Sequence, residues 1–572
     1  MENTPARSQP ARFGLFELDL QAGELRKQGV KIKLQEQPFQ ILAMLLEHPG
    51  QVVTREELRS KLWPADTFVD FDHSLNKAIN KLREALGDSA ESPRFVETLA
   101  KRGYRLIGKI ESDAPAMRSL AVLPLENLSR DPQQEYFTDG LTEALISTLA
   151  KIGDLRVVSR TSVMQYKGAH RPLREIAREL NVDTIVEGTV LRAGHRVRIS
   201  TQLVNALTDS HIWAETYDRD LRDVLALQSD VARAIARQVQ VKLTPLDQAL
   251  FPEVRPVDPE AYESYLKGRY HWLTRSRGGH RKAVQHFREA IKRDPTYAAA
   301  YTGLADSLSI LGLWGLVPPN EGCGKAKTLA LQALEMDRNL AEAHVSLAWA
   351  TAHFDFDFVT AEREFERAIE LNPRYPVAHH WFGMILATMG RYEEAYTELK
   401  RAIRLEPRSS VIHFGSAFVY WSARRYDQAF AQCEKALELD PKSVQAYLWL
   451  GLTKLANSSY QPAISALLKA VELSERAPVA VAGLGEAYAV AGYQDEAQKI
   501  LDELSNLRHV TSYFVGRIHA ALGRKDEAFR LLESAYRECG EWMVLLKVDP
   551  RFDDFRFEPR FQDLLRRMNF PP

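Results

Sequence analysis

Residues 73–105 carry side chains suited to contact with a nucleic acid. The polar side chains of residues 76–83 are all amides or cations, and Lys101 and Arg102 follow in a short turn. Amide and cationic side chains are the groups that read base edges and bind phosphates. The composition therefore predicts DNA contact, with the candidate residues Asn76, Lys77, Asn80, Lys81 and Arg83.

A helix and a hairpin must position these side chains. The apolar residues Leu75, Ile79, Leu82 and Leu86 recur at spacings of four, three and four, which predicts one buried helical stripe. Gly87 is typical of a helix end. Residues 95–99 and 104–107 predict two strands around a basic turn. Such a helix fits a major groove and the hairpin fits the adjacent backbone, although an ordinary amphipathic helix with a solvated outer face is the alternative.

The preceding residues predict the rest of a small α+β domain. Residues 13–19 and 30–34 alternate like strands, residues 38–47 form a short helix, and Thr54 with Glu57 forms a capping box. Together with the phrases LLEHPGQVVTREELRSKLWP, KLREALGD and FVETLAKRGYRL, this order resembles the winged-helix effector domain of the OmpR/PhoB family.

The resemblance implies roles for individual positions. His73, Asn80, Lys81 and Arg83 match recognition-helix positions that contact bases or phosphates. Thr98 and Tyr104 match wing positions that touch the DNA backbone, and Trp63 matches an aromatic that packs against a phosphate. The family often has an arginine where this chain has Ala100, with Lys101 and Arg102 next to it as substitutes.

Composition limits the class of protein. The 572 residues correspond to about four domain-sized units, and the net charge of −1 means that any nucleic-acid contact needs a local patch. Cys323, Cys433 and Cys539 have no metal or redox spacing. No catalytic motif is found and no apolar run reaches about 18 residues. We therefore expect a cytoplasmic protein with no membrane contact, no enzymatic activity, no cofactor, and no catalytic or metal-binding residues.

The segments around the winged helix indicate where a signal enters. Regulators of the CadC and ToxR type carry a transmembrane helix after this domain, whereas a polar linker, KIESDAPAM, follows here at residues 109–117. Two-component regulators carry a receiver domain before it, and only about a dozen residues precede Phe13. The expectation is an input from the carboxyl-terminal side that does not depend on phosphorylation.

Residues 118–244 predict an α/β domain. Strands at residues 120–123, 155–158, 184–191, 196–204 and 211–217 are interspersed with helices. The phrases SLAVLPLENLS, YFTDGLTEALISTLAKI, RVVSRTSVMQYKG and HIWAETYDRDL resemble a TolB amino-terminal-like domain. This resemblance implies a fold and no particular ligand.

Residues 258–540 repeat. Alanines recur every 34 residues, at Ala361, Ala395, Ala429, Ala463 and Ala497. This is the tetratricopeptide pattern, in which small residues allow two helices to cross closely. We predict about eight repeats, most regular over 342–505, with an insertion, LWGLVPPNE, at 313–321 and a helical capping tail at 541–572.

Repeats of this kind stack into a superhelix with a concave groove. Groove positions come from the first helix of each repeat, and Phe414, Phe418 and Trp421 share one helical face. We predict a protein or peptide partner at these groove positions: His380, Phe414, Phe418, Trp421, Leu448 and Leu452. The alternative is that the aromatic rings fill contacts between repeats.

The sequence thus predicts a multidomain chain. An α+β winged helix at 10–108 precedes the α/β domain at 118–244 and an all-α repeat superhelix. The predicted function is a single-chain transcription regulator that binds double-stranded promoter DNA, with RNA polymerase as a further expected partner. The alternative is an interaction scaffold in which DNA binding is weak or vestigial.

Overall fold

The computed structural model describes residues 11–13, 16–19, 23–27, 30–47, 50–63, 70–91, 93–99, 102–107, 110–111, 119–129, 131–152, 155–169, 171–206, 208–239, 256–507 and 510–570. The chain divides into two compact units, Met1–Met117 and Arg118–Pro572. The first unit is a winged helix, and the second contains an α/β domain followed by a superhelix of repeats, as the sequence predicts.

The described part of the first unit contains two antiparallel sheets and three helices. One sheet has the order β4-β3-β2-β1-β8 and the other the order β5-β7-β6. The elements are β1 (Ala11–Phe13), β2 (Phe16–Asp19), β3 (Glu24–Lys27), β4 (Val30–Ile32), α1 (Glu36–Glu47), β5 (Val52–Thr54), α2 (Arg55–Leu62), α3 (Phe71–Leu86), β6 (Val96–Leu99), β7 (Gly103–Leu106) and β8 (Ile110–Glu111).

Local signals fix the ends of the helices in this unit. The Thr54 side chain accepts from the backbone N–H of Glu57, and the Glu57 carboxylate accepts from that of Thr54, so the predicted capping box is confirmed. The four apolar stripe residues of α3 are buried in one core. Gly87 ends α3 in the left-handed conformation at φ 62°, which confirms the predicted stop.

The α/β domain has a mixed sheet of order β11-β9-β12-β13-β14, with β10 beside β12. Strands β9, β11 and β12 are parallel, and the long β12-β13-β14 meander is antiparallel. The elements are β9 (Ser119–Val122), β10 (Glu126–Asn127), α4 (Glu135–Ala150), β11 (Arg156–Val157), α5 (Arg160–Val163), α6 (Leu173–Leu180), β12 (Thr184–Ala193), β13 (Arg196–Asn205), β14 (Ser210–Asp220) and α7 (Val224–Gln238).

The α/β domain is joined to the first repeat by partly buried charges. Glu263 accepts from Arg192 at 2.8 Å and from the Tyr136 hydroxyl at 2.7 Å. Burial raises the pKa of Glu263, but hydrogen bonds from Lys267, Arg192 and Tyr136 outweigh burial and lower it to about 2. The carboxylate therefore stays charged and ties the two parts together.

The repeats form eight helix pairs in the described part of the chain. The predicted small residues at the crossings, from Ala361 to Ala497, are fully buried. The helices are α8 (Pro259–Leu273), α9 (Arg277–Arg293), α10 (Ala298–Leu313), α11 (Lys325–Met336), α12 (Ala341–Ala350), α13 (Phe358–Leu371), α14 (Pro376–Thr388), α15 (Tyr392–Leu405), α16 (Ser410–Ser422), α17 (Tyr426–Leu439), α18 (Val444–Ala456), α19 (Tyr460–Leu473), α20 (Pro478–Val490), α21 (Gln494–Ser505), α22 (Ser512–Ala521) and α23 (Lys525–Arg537).

The insertion after α10 reaches across the superhelix. The carbonyl oxygen of Trp314 accepts from the backbone N–H of Val479, at the start of α20, at 3.4 Å. Nearby, Arg277 donates to the carbonyl oxygen of Glu475 at 2.9 Å. Early and late repeats are therefore in direct contact.

The tail, residues 541–570, packs inside the repeats. It contains two short 3-10 helices, Glu541–Leu545 and Pro550–Phe555, and then α24 (Pro559–Arg567). Trp542 donates to the carbonyl oxygen of Leu313 at 2.7 Å, and its ring stacks on Trp449 with centroids 6.1 Å apart. At the far end, Phe570 stacks on Phe358 at 4.8 Å. The tail thus lies against helices of several repeats and belongs to the same core.

Glu541 holds the start of the tail in an apolar site. The side chain is fully buried, and no cation among the described residues pairs with it. Its carboxyl group lies against the backbones of Gly312 and Gly322, where a Cβ atom would overlap it. Burial raises the pKa of Glu541 to about 8, and its two carboxyl oxygens have no hydrogen-bond partner among the described residues.

Replacement of Glu541 by Gln should therefore remove a pH dependence of stability. The wild-type carboxyl stays protonated in the fold but ionises above about pH 4.5 in the unfolded chain. The contribution of this protonated carboxyl to the free energy of unfolding is fully present below that pH and is lost as the pH rises towards 8. We expect the Tm of E541Q to exceed that of the wild type at pH 8 and to match it at pH 4.5. The exposed Glu434→Gln is the control, and an equal pH dependence of Tm in E541Q and the wild type would contradict this account.

Candidate nucleic-acid interface and the enclosed repeat surface

The outer face of α3 carries a stripe of exposed polar side chains. His73, Lys77, Asn80 and Glu84 are all exposed and follow spacings of four, three and four, so they lie along one line of the helix. Asp70 caps the helix by accepting from the backbone N–H of His73 at 3.1 Å. This stripe is the surface that a DNA groove would meet.

Asn76 is also exposed, but its side chain is held in one orientation. Its Oδ1 accepts from Arg55 at 3.1 Å and from the Tyr104 hydroxyl at 2.9 Å. An arginine can only donate, so the amide oxygen must face Arg55 and the amide nitrogen must face away. Arg55 also pairs with Asp72 at 2.7 Å. The amide N–H donors of Asn76 are therefore pre-oriented before any ligand arrives.

Arg55 was not predicted from the sequence, because its partners Asn76 and Tyr104 lie 21 and 49 residues further along the chain. Contacts at such separations leave no local periodicity in the sequence.

The structure corrects the expectation for Arg83. Its side chain is buried, and it donates to the carbonyl oxygen of Val96 at 2.9 Å and to Thr98 Oγ1 at 2.7 Å. These acceptors lie on β6, the first strand of the wing. Arg83 therefore ties the recognition helix to the wing and does not offer its charge to a phosphate.

Trp63 and Tyr104 also lie inside the domain rather than on its surface. The Trp63 ring is buried and packs edge-on against Phe71 with centroids 5.8 Å apart. Tyr104 is 2% exposed, and burial raises the pKa of its hydroxyl. Its hydroxyl serves the Arg55–Asn76 network, so Tyr104 positions a contact residue and does not itself reach the backbone of DNA.

The remaining predicted residues lie nearer the surface. Lys81 is half-buried and donates to Gln35 Oε1 at 2.6 Å. Thr98 is exposed although its hydroxyl accepts from Arg83, and Arg102 is exposed at the turn of the wing. Lys101 lies outside the described residues.

Asp88 fixes the wing to the end of α3. It accepts hydrogen bonds from the backbone N–H groups of Arg94, Phe95 and Val96 at 2.6–3.1 Å. Burial raises the pKa of Asp88, but these donors outweigh it and hold the pKa below its usual range. In β7, a Cβ at Gly103 would overlap the carbonyl oxygen of Val53, so β5 can approach only a glycine here.

The predicted partner residues of the repeats lie in the interior. Phe418 and Trp421 are 1% exposed, and Leu448 and Leu452 are also buried. The Trp421 ring packs against Trp449 and donates through Nε1 to the carbonyl oxygen of Leu452 at 3.3 Å. The predicted open groove is therefore wrong for these four residues, because other repeats and the tail cover them.

Buried charged residues of the tail also pack against the inner side of the repeats. Arg551 lies 5.2 Å from the Trp421 ring centre and pairs with Glu486 at 3.2 Å. Asp549 accepts from the Tyr513 hydroxyl at 2.6 Å and is fully buried. Burial raises the pKa of Asp549, but the adjacent Arg551 outweighs burial and keeps the pKa low. A buried network of this kind is costly to break from one side.

His380 and Phe414 occupy an intermediate position. His380 is 2% exposed and Phe414 is half-buried, and the two rings meet edge-on at 6.5 Å. Together with Phe418 and Leu448 they line a cavity of about 470 Å³ inside the superhelix. Burial lowers the pKa of His380 to about 3, so this imidazole is neutral.

The described residues include no group of three or more His, Cys, Asp or Glu side chains arranged to hold a metal ion. None of the helices within these same ranges is long and apolar enough to cross a membrane.

Replacing Arg83 by Ala should loosen the wing. The change leaves the Val96 carbonyl and Thr98 without their charged donor, and each such hydrogen bond contributes about 1.5–3 kcal/mol. We expect the amides of β6 and β7 to exchange with solvent at least tenfold faster in the full-length variant. Lys77→Ala, which removes an exposed cation from the same helix, should leave this exchange unchanged. Equal amide exchange in both variants would contradict the role of Arg83 in holding the wing.

Replacing Trp421 by Ala should destabilise the repeats. A buried tryptophan cut to alanine costs about 3–5 kcal/mol, and Arg551 and Trp449 would both lose their contact. We expect a lower midpoint of urea unfolding for the full chain. Val359→Ala, at a side chain that is 78% exposed, should shift the midpoint little. A fold unaffected by Trp421→Ala would contradict the core assignment.

Family comparisons agree with the order of domains. Residues 29–106 match the model of the transcriptional regulatory protein, C terminal, family. Residues 116–234 match that of the HilA/YgeH-like transcriptional regulator, second domain. Residues 364–397 and 414–481 match tetratricopeptide repeats. The resemblance of the second segment to a TolB amino-terminal domain stays a prediction.

Three relatives cover different shares of the chain. "Putative adenylate cyclase 3" of Rhizobium meliloti is 38% identical over 243 residues, 41% of this chain and 40% of that protein. The transcriptional regulator HilA of Salmonella typhimurium is 21% identical over 398 residues, 68% of this chain and 69% of that protein. The cholera toxin transcriptional activator of Vibrio cholerae is 40% identical over 81 residues, 14% of this chain and 28% of that protein. The chain thus combines an OmpR/PhoB-type winged helix, a HilA-like second domain and tetratricopeptide repeats.

Proposed function

We propose that this protein is a transcription regulator that binds promoter DNA through its amino-terminal winged helix. The observation that carries the proposal is the exposed stripe His73, Lys77 and Asn80 on α3, in a domain that matches transcriptional regulators. The similarity to HilA over more than two thirds of the chain supports the same function.

The geometry of the winged helix supports this assignment. Arg83 fixes the wing to α3, and Asn76 is held by Arg55 and Tyr104. The pre-oriented amide nitrogen of Asn76 is suited to donate to an acceptor on a base edge or a phosphate, and the exposed Lys77 is suited to a phosphate. The contact surface thus needs little rearrangement on binding, which limits the entropy lost.

The second unit is proposed as the input module. Tetratricopeptide repeats support a protein partner, and the outer surface of the superhelix is the part left for it once the tail has covered the inner one. RNA polymerase remains a predicted partner. We propose a binding protein and not an enzyme, because the matched families are transcription regulators, although one relative is named for a cyclase.

The test is DNA binding by the full-length protein at several salt concentrations. Lys77→Ala should reduce the slope of log K against log salt by about 0.9, the value for one phosphate contact. Asn80→Ala should change the preference at one base pair by about 1–3 kcal/mol. The matched control is Lys31→Ala, which removes a cation whose side chain is 64% exposed on β4 of the other sheet.

Three outcomes separate the alternatives. Genomic footprinting that finds discrete protected sites, lost in Asn80→Ala, supports a regulator. Salt-dependent binding without discrete sites favours the scaffold, with vestigial DNA binding. Binding that is unchanged in both variants but lost in Lys31→Ala would move the interface away from α3.

A further inference from the structure

The cavity inside the superhelix is larger than a packing defect. Its volume of about 470 Å³ falls within the range of small-molecule sites, about 300–1,000 Å³. It lies where the insertion, the tail and the first helices of the central repeats meet, so Trp314, Trp349, Trp381, Phe418, Trp449 and Trp542 line it. The protein therefore encloses an aromatic-walled space in its own core.

The aromatic walls are rigid and partly continuous. Trp349 stacks on His353 at 4.0 Å and contacts Trp381 at 4.6 Å. On the opposite side, Trp449 lies 5.1 Å from Phe418 and 6.1 Å from Trp542. Flat rings held by one another offer a preformed surface to an apolar body.

Several buried polar atoms along these walls have no hydrogen-bond partner. Trp272 Nε1, Trp349 Nε1, His280 Nδ1 and His380 Nε2 donate to or accept from none of the described residues. Their residues are at most 5% exposed. Buried polar groups are almost always paired, and each unpaired one is costly. The indole groups can only donate, so they call for an acceptor.

Arg275 adds a charge to these donors. Its guanidinium lies 3.6 Å from the centre of the Trp272 ring and donates no hydrogen bond to any residue within the described ranges. Burial and the neighbouring cation Arg269 lower the pKa of Arg275 to about 10, so it remains charged near neutral pH. An arginine in this state is suited to bind a carboxylate in bidentate geometry.

The acidic groups of the cavity leave this charge incompletely neutralised. Burial raises the pKa of Glu406 to about 7 and that of Glu541 to about 8, so Glu406 is part-protonated and Glu541 mostly protonated at neutral pH. At the rim, Asp440 and Lys442 are charges of opposite sign. Asp306, whose pKa burial raises to about 6, also acts on Arg275, but no carboxylate among the described residues hydrogen-bonds to the guanidinium, so its N–H donors stay available to a bound anion.

We propose that this cavity binds a small carboxylate with an aromatic or aliphatic body. The body lies between the tryptophan walls and the carboxylate accepts from Arg275 and from the unpaired indole N–H groups. This site is independent of the proposed DNA contact.

Isothermal titration of the full-length protein tests the proposal with two acids, 2-naphthylacetate and octanoate. The matched neutral probes are the two corresponding amides, and 2-naphthylmethylamine is the cationic probe. We expect saturable binding of at least one acid at one site per chain. Its amide and the amine should bind at least tenfold more weakly, because loss of a charge-assisted hydrogen bond costs at least that factor.

Variants locate the bound molecule. Arg275→Gln should weaken the acid at least tenfold and leave the amide unchanged, while Arg281→Gln, an exposed arginine on α9, should change neither. Met384→Trp, which fills the cavity from α14, should abolish binding of both. The Tm of each variant establishes that it is folded.

Four results would overturn the proposal. They are no saturable binding by either acid, equal binding of acid and amide, tighter binding of the amine, or acid binding that is unaffected in the folded Arg275→Gln and Met384→Trp variants.

Discussion

The repeat region depends on the burial of aromatic side chains that its helices alone would leave exposed. The first helices place Phe418, Trp421 and Trp449 on the inner side of the superhelix, and rings of this size are strongly stabilising only when water is removed from them. Two segments of the same chain exclude water from these rings: the insertion at Trp314 and the tail that begins at Glu541. A surface that would serve other repeat proteins as an open groove is here a core.

The winged helix divides its polar groups by the same principle. Arg83, Tyr104 and Arg55 hydrogen-bond to other residues of the domain and hold it together, whereas His73, Lys77 and Asn80 point to solvent. The inner set determines where the outer set stands. Positioning and contact are thus separate tasks carried by different residues of one domain, although all of them are polar.

The sequence predicted the features of the fold that depend on local interactions. The Thr54–Glu57 capping box and the stop at Gly87 depend on residues a few positions apart, and the 34-residue period repeats one local pattern along the chain. The structure has all three. The burial of Arg83 depends on Val96 and Thr98, and the covering of Trp421 depends on Arg551, 130 positions later. The spacing of Phe414, Phe418 and Trp421 did predict one shared face, but spacing along a helix does not say what lies against that face.

The position of the tail in the chain has a consequence for synthesis. A ribosome releases the winged helix first and all eight repeats before residues 541–570, and domains fold as they emerge. Until the tail arrives, the nascent superhelix holds a broad apolar strip against water, a surface of the type that chaperones bind. The winged helix is therefore complete some 400 residues before the repeat core can close. A chain truncated before the tail would carry a folded winged helix attached to a repeat region that tends to aggregate.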